Sequence, residues 1–376
     1  MSSQHHWLQR QRAAFRPRFE RLERRDYLSC TVFQRGETLV ILGDREANQI
    51  AIADTREGEI VLSCDRREPQ RFAGVAQIVV ETFGGDDDVT AELICPADPS
   101  FHFRADLGAG DDRLSISGFD PQPDPPLRFI SFDILAGAGN DEVTAVCPSD
   151  PNIHFRADPG AGDDRLSISG FDPQPDPPLR TVAFDIRAGA GNDEVMFDLA
   201  AAEINGRFVV SVSGGIGNDR LMFGAIQPCI LPESEMRIVL SGDAGDDLID
   251  VSMTGLEIAG ELDLRAHGGA GNDVIESFIV PCILPEGRAN ILVDGQAGND
   301  NIAARVEMDE DSRGLLAARV LGGLGDDDLT LEIYGVDEPS LLTALVDGGC
   351  GYDIARVTRN VRVGNCEEVF FLDEPR

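Results

Sequence analysis

Between residues 76 and 357, apolar and polar side chains alternate one by one in short runs, and a glycine-rich turn interrupts them at a regular interval. The runs before the turns read Ala76-x-Ile78-x-Val80, Phe101-x-Phe103-x-Ala105, Ile130-x-Phe132-x-Ile134 and Val182-x-Phe184-x-Ile186. Further on come Phe208-x-Val210-x-Val212, Ala289-x-Ile291-x-Val293 and Leu342-x-Ala344-x-Val346. A period of two is the mark of a strand with one buried face. A second apolar run follows each turn and often continues two residues on, as at Ile116, Ile168, Phe197, Phe223, Val251 and Leu331. Each repeat therefore predicts strand, turn, strand, variable loop.

The turn is clearest in Gly268-Gly269-Ala270-Gly271-Asn272-Asp273-Val274-Ile275. With Gly268 as position one, position six is Asp in eleven copies: Asp87, Asp112, Asp141, Asp164, Asp193, Asp219, Asp247, Asp273, Asp300, Asp327 and Asp353. Position four is Gly in every one, from Gly85 to Gly351. A fixed period of this length points to stacked repeats. Two half-buried strands per coil predict an all-β parallel β-roll or β-helix solenoid. It would have about eleven two-strand coils, with two parallel sheets closing on a narrow core. Propeller blades need a longer period, and antiparallel hairpins would need a barrel to hide one face of the sheet.

The same pattern divides the chain. Residues 1–35 form a basic N-terminal tail, 36–75 an N-terminal capping coil, 76–357 the repeat solenoid and 358–376 a C-terminal cap. In the capping coil Leu39, Ile41, Gly43, Asn48, Ile50 and Ile52 keep the frame, but Glu46 replaces the glycine and Asn48 the acid. This is a degenerate turn, poor at binding metal. The strand Glu59-Ile60-Val61-Leu62 is placed to cover the first sheet edge, as terminal repeats do.

Charge changes the picture next. The chain has 67 acidic and 32 basic residues, a net charge of −35, and every basic residue is Arg. Such a rod repels nucleic acid and anionic membrane surfaces, and divalent cations are its natural counter-charge. No apolar run is long enough for membrane insertion. There is no His-Glu-x-x-His, no Gly-x-Ser-x-Gly and no Walker loop, so no catalytic residues are assigned and no enzyme activity is expected. Asp pairs such as Asp111-Asp112 recur along the chain, whereas an active site occurs once, so they read as ion ligands. Glycine is needed where φ is positive or carbonyls converge on a ligand, and Ca²⁺ takes carboxylate and carbonyl oxygens. The alternative for the turn is Asx capping, in which Asp and Asn bond their own turn's backbone.

Gly268 to Glu276 matches at every position the motif G-G-x-G-x-D-x-U-x and so resembles the RTX calcium-binding repeats. The resemblance implies several Ca²⁺ ions held between stacked turns by carbonyls and by the eleven position-six aspartates named above. The chain departs from the family in carrying the motif once per coil rather than every nine residues, so only one edge of the roll is laddered. Leu22, Glu23, Arg25, Leu28 and Ser29 resemble the LEPR-XLL motif of large exported bacterial repeat proteins, with Arg24 and Tyr27 departing from it. This implies an extracellular or cell-surface location. The expected function is a calcium-binding structural or adhesive rod, with folding coupled to Ca²⁺ binding in the stacked Gly-rich turns, whose partners are calcium ions and a cell-surface or matrix polysaccharide or protein. Two alternatives stand beside it. One is a β-helix enzyme acting on polysaccharide, marked by a groove-facing cluster of Arg and acids that breaks the repeat. The other is a fragment of a larger surface protein.

Of the eight cysteines, Cys95 and Cys147 lie two coils apart, as do Cys229 and Cys282. That is about 9.6 Å, beyond disulfide reach, so free thiols are expected. Cys350 and Cys366, on the last turn and the strand after it, are expected to be bonded. His102 and His154 should point outward at equivalent sites. The Pro-rich stretches Asp120–Pro126, Asp172–Pro178, Pro228–Glu233 and Pro281–Glu286 should leave the sheets, because Pro cannot serve an interior ladder.

Overall fold

A computed structural model describes residues 30–372, apart from 56–57, 66, 94–99, 119–128, 148–151, 171–178, 201 and 337. Residues 1–29 of the basic tail, with its LEPR-XLL-like residues, the first two Pro-rich stretches and Cys95 lie outside the described residues.

The period-two runs form strands that stack in parallel. The strands entering the turns, such as Gln77–Glu81, Ser100–Ala109 and Phe129–Ala138, build one ladder from Thr38–Leu42 to Arg362–Gly364. The strands leaving them, such as Asp88–Glu92, Arg113–Ser117 and Glu142–Cys147, build a second from Gln49–Asp54 to Glu368–Phe371. Each motif turn joins one ladder to the other, so the fold is an all-β parallel solenoid. Register is strict because a one-residue slip would expose every core side chain. Equivalent positions therefore face one another, as in Phe103↔Phe132↔Phe155↔Phe184.

The inward positions fill the space between the ladders and are almost fully buried. From Phe101 to Phe223 that core carries a run of phenylalanines among aliphatic residues. Phe132, Phe155 and Phe184 follow at centroid spacings of 5.6 Å, and Phe197 stacks on Phe223 at 5.2 Å. After Phe223 the core is aliphatic, with residues such as Ile238, Leu264, Ile291 and Leu331. Aromatic rings at these spacings add to the gain from area burial.

The middle coils differ from the expected two-strand cross-section. Glu203–Ile204 pairs with Cys229–Ile230, which pairs with Glu257–Ile258 and then Cys282–Ile283. This short third side buries Ile204, Ile230, Ile258 and Ile283. The Pro-rich stretches at 228–233 and 281–286 therefore do not simply leave the sheets. Pro281 pairs with Leu256 beside a register shift, where a missing N–H is tolerated. Cys229 and Cys282 sit two rungs apart on this side and are free thiols.

The two ends are built differently. At the N-terminus, Thr31–Arg35 covers Thr38–Leu42 as an antiparallel hairpin, and Glu59–Cys64 lies antiparallel on Gln49–Asp54. A Cys30–Cys64 disulfide ties these layers, with Cα atoms 6.3 Å apart. At the C-terminus the strand Glu368–Phe371 is exposed along its length. The expected Cys350–Cys366 bond does not form. Cys350 is at position three and points out from the turn, while the Cys366 thiol donates to Gly364 O at 3.2 Å. The bonded pair is at the other end of the chain, where no motif marks it in the sequence.

Candidate cation-binding edge

All eleven position-six aspartates line up along one edge of the solenoid, each at most 3% exposed. Glycine at position four makes the close stacking possible. A methyl there would come within 3 Å of the preceding coil's position-four carbonyl oxygen in ten copies, from Gly110 on Gly85 to Gly351 on Gly325. The φ values, +100° at Gly85 and +148° at Gly351, also favour glycine.

The polar side chains of the turn form two ladders that run in opposite directions. At position five, the Asp111 N–H donates to Asp86 Oδ1 (3.0 Å) and the Asn140 N–H to Asp111 Oδ1 (2.8 Å), on to the Tyr352 N–H and Asp326 Oδ1 (2.8 Å). Each of these side chains serves the next coil. At position six each serves the coil before it. The Asp87 N–H donates to Asp112 Oδ1 (2.7 Å), the Asp193 N–H to Asp219 Oδ1 (2.8 Å) and the Asp327 N–H to Asp353 Oδ1 (3.0 Å). Asn48 starts this ladder by donating its N–H to Asp87 Oδ1, and Glu367 ends it by accepting from the Asp353 N–H. Asn48 is the position-six residue of the degenerate capping turn, whereas Glu367 carries no motif signal in the sequence. Asx capping of the turn's own backbone, the alternative reading, occurs at Asn48, whose Oδ1 accepts from the Asp44 N–H. In the eleven motif copies the position-six bonds run between coils instead.

One oxygen of each position-six carboxylate is thus committed. The other, Oδ2, is buried without a hydrogen-bond partner in all eleven. Burial pushes these acids up, to about 7 for Asp112, Asp164, Asp219 and Asp273 and about 6 for Asp87, Asp141 and Asp327. Asp193, Asp247, Asp300 and Asp353 move the same way for the same reason. The backbone donor to Oδ1 opposes the shift but is outweighed.

Position one divides the eleven slots into two kinds. In the last six copies it is glycine: Gly214, Gly242, Gly268, Gly295, Gly322 and Gly348. A methyl on any of these would lie within 3 Å of that coil's own Asp Oδ2. In Gly214, Gly242, Gly295 and Gly322 it would also lie within 3 Å of the next coil's position-one carbonyl oxygen, and in Gly348 of Asn365 O. A carboxylate oxygen without a donor and, in five of the six, a neighbouring carbonyl oxygen therefore converge on the side of the glycine where a Cβ would stand. In the first five copies Thr82, Leu107, Ala136, Pro159 and Ala188 place a Cβ on that side. Thr82 shows what a donor does there: its hydroxyl donates to Leu107 O at 2.6 Å.

The donor set fits a hard cation in the last six slots and fits it poorly in the first five. Each open slot offers a carboxylate oxygen and, in five of the six, a neighbouring carbonyl oxygen, the donor types Ca²⁺ prefers. Among the described residues, the closest trio of metal-ligating side chains is Cys30, Cys64 and Asp65, whose two sulfurs are already bonded to each other.

The outward histidines are where period-two reading puts them. His102 is exposed, with Nδ1 2.5 Å from Ser131 Oγ, and His154 is exposed two coils on. A cluster that breaks the repeat lies on the outer face of the entering ladder. There Asp263 is held by Arg237 at 3.7 Å and Arg265 at 3.1 Å, beside a groove of about 380 Å³. No family model, curated protein or solved structure matches the chain.

Proposed function

We propose that this solenoid is a calcium-binding structural or adhesive rod, and that its cation sites are the six C-terminal turns, at Asp219, Asp247, Asp273, Asp300, Asp327 and Asp353. The observation that carries the reading is the buried Oδ2 of these aspartates, which has no donor and faces the open side of a glycine. A cation there would offset the cost of a buried, unpaired carboxylate. The ordered donors are few, and calcium takes about six to eight oxygens, so the sites are weak, on the order of 10⁻⁴–10⁻³ M as in extracellular modules. Asp87, Asp112, Asp141, Asp164 and Asp193 keep only the structural half of the role, accepting the backbone N–H of the preceding coil.

The Cys30–Cys64 disulfide supports an oxidising, exported setting for the rod, where calcium is plentiful. The Arg and acid cluster at Asp263 is the feature expected of a polysaccharide-acting enzyme. Its carboxylate is engaged by two guanidiniums and is not a free base, so we read that face as a binding surface. The test of the cation reading is calorimetric titration of the metal-free chain with CaCl₂, followed by thermal melts. Calcium uptake with a higher Tm is expected. Melts that coincide in calcium and in chelator, with no heat of binding, would leave the turn as a purely hydrogen-bonded ladder.

A further inference from the structure

The third residue before each turn points out from the entering ladder, and register stacks these residues in one column. In the first half the column reads Arg104, Asp133, Arg156, Asp185, alternating in sign. In the second half it reads Ser211, Val239, Arg265, Leu292, Arg319, Leu345, Arg362. From Arg265 on the acids have become leucines, so guanidiniums recur every second coil, about 9.6 Å apart, with no carboxylate between them in the column. The short side chains between Arg265 and Arg319 open the groove of about 380 Å³, floored by Leu292.

The groove's polar groups are unequal. Arg265 is tied to Asp263, and the Asn290 amide donates to Glu261 Oε1 at 3.2 Å. Arg319 is exposed and makes no hydrogen bond or ion pair with the described residues. A cation left unpaired on a chain of net charge −35 calls for an anionic partner from outside. Glu261 and Asp263, on the same groove wall, repel a densely charged polyanion or an acidic peptide, yet they are good acceptors for hydroxyl groups. Leu292 suits the C–H face of a ring. We infer that this groove binds an oligosaccharide bearing widely spaced carboxylates, of the uronic-acid class. The carboxylate meets Arg319 and the hydroxyls meet Glu261, Asp263 and Asn290. The inference rests on the adhesive half of the reading above and is independent of the cation sites.

The test is calorimetric titration of the full chain, at constant calcium, with a tetrasaccharide of galacturonic acid. Its methyl ester and a short poly-glutamate peptide are titrated in parallel. Binding of the acid form is expected, weakened about 10- to 100-fold by Arg319→Gln, as for loss of a charged hydrogen bond, and weakened similarly by esterification. Arg113→Gln, on the other ladder and paired with Glu142, should leave it unchanged. Circular dichroism of each variant checks the fold. Absence of binding, equal affinity for the ester, equal affinity for the peptide, or an unaltered Kd in Arg319→Gln each overturns the proposal. Calcium titrated alone reports the cation sites, so either reading can fail without the other.

Discussion

The five turns from Thr82 to Asp193 and the six from Gly214 to Asp353 carry the same motif frame, yet they offer different chemistry. Both halves stack through position-four glycine, and both use position-six Oδ1 to satisfy the preceding coil's N–H. They differ in what stands beside Oδ2. In the first half a Cβ stands there and the core is rich in aromatic rings; in the second no Cβ does, and beyond Phe223 the core is aliphatic. On the reading proposed above, one atom at position one separates a turn that is only a hydrogen-bonded ladder from one that also accepts an ion. The difference also bears on folding. Side chains meet the turn N–H groups of both halves, so calcium is expected to stiffen the stack rather than to decide whether it folds, the reverse of folding coupled to binding.

The largest expected effect tests what the halves share. All eleven carboxyls are raised above their unfolded value, so the metal-free fold holds its protons to higher pH than the unfolded chain. The contribution of the seven raised to about 6 or 7 is fully present below about pH 4 and is lost as pH rises through that range. Urea midpoints of the metal-free chain should therefore fall between pH 4 and pH 7.5. Calcium at pH 7.5 should restore protection from hydrogen exchange in residues 214–353 and leave 82–193 unchanged. Equal protection of both halves would erase the distinction between them.

Next in size is a methyl at position four. Gly139→Ala and Gly298→Ala each drive a Cβ onto a backbone carbonyl at positive φ. Each should cost on the order of 3–5 kcal/mol by urea denaturation, in either half and with or without calcium. A loss confined to one half would mean that the coils do not stack alike.

A smaller and sharper effect comes from exchanging position one. Gly242→Ala installs the residue already present at Ala136 and Ala188, and should remove about one calcium equivalent in calorimetry. Ala188→Gly should create a slot and add up to one equivalent. If both variants keep the parental stoichiometry, the open glycine is not what selects the cation.

The smallest shift is expected from Asp→Asn. At Asp247 the amide keeps an acceptor for the Asp219 N–H and puts a donor where Oδ2 faces Gly268 O. The metal-free Tm should rise, by the equivalent of about 1 kcal/mol, and the calcium increment at that slot should vanish. Asp141→Asn should alter the metal-free Tm and leave calcium uptake alone.

Much of the fold was legible in the chain. Period-two runs such as Phe101-x-Phe103-x-Ala105 need only local stereochemistry and the burial of one face. The interval between turns then implies the stack, because each coil must pair with its neighbour. The eleven aspartates were legible as one set, since repetition marks them, and so were the free thiols at Cys229 and Cys282. Tertiary structure decided the rest. Asn48 starts the aspartate ladder from a frame position already marked in the sequence, but Glu367 ends the ladder only because it lies beside the terminal rung, outside the motif. Cys30 meets Cys64 because two hairpins fold over the first coil, whereas Cys350 points away from Cys366. Arg319 has leucines rather than acids above and below it because register places Leu292 and Leu345 there. In each case the deciding partner lies one coil away along the stack, a distance that sequence spacing measures only approximately and that strand register makes definite.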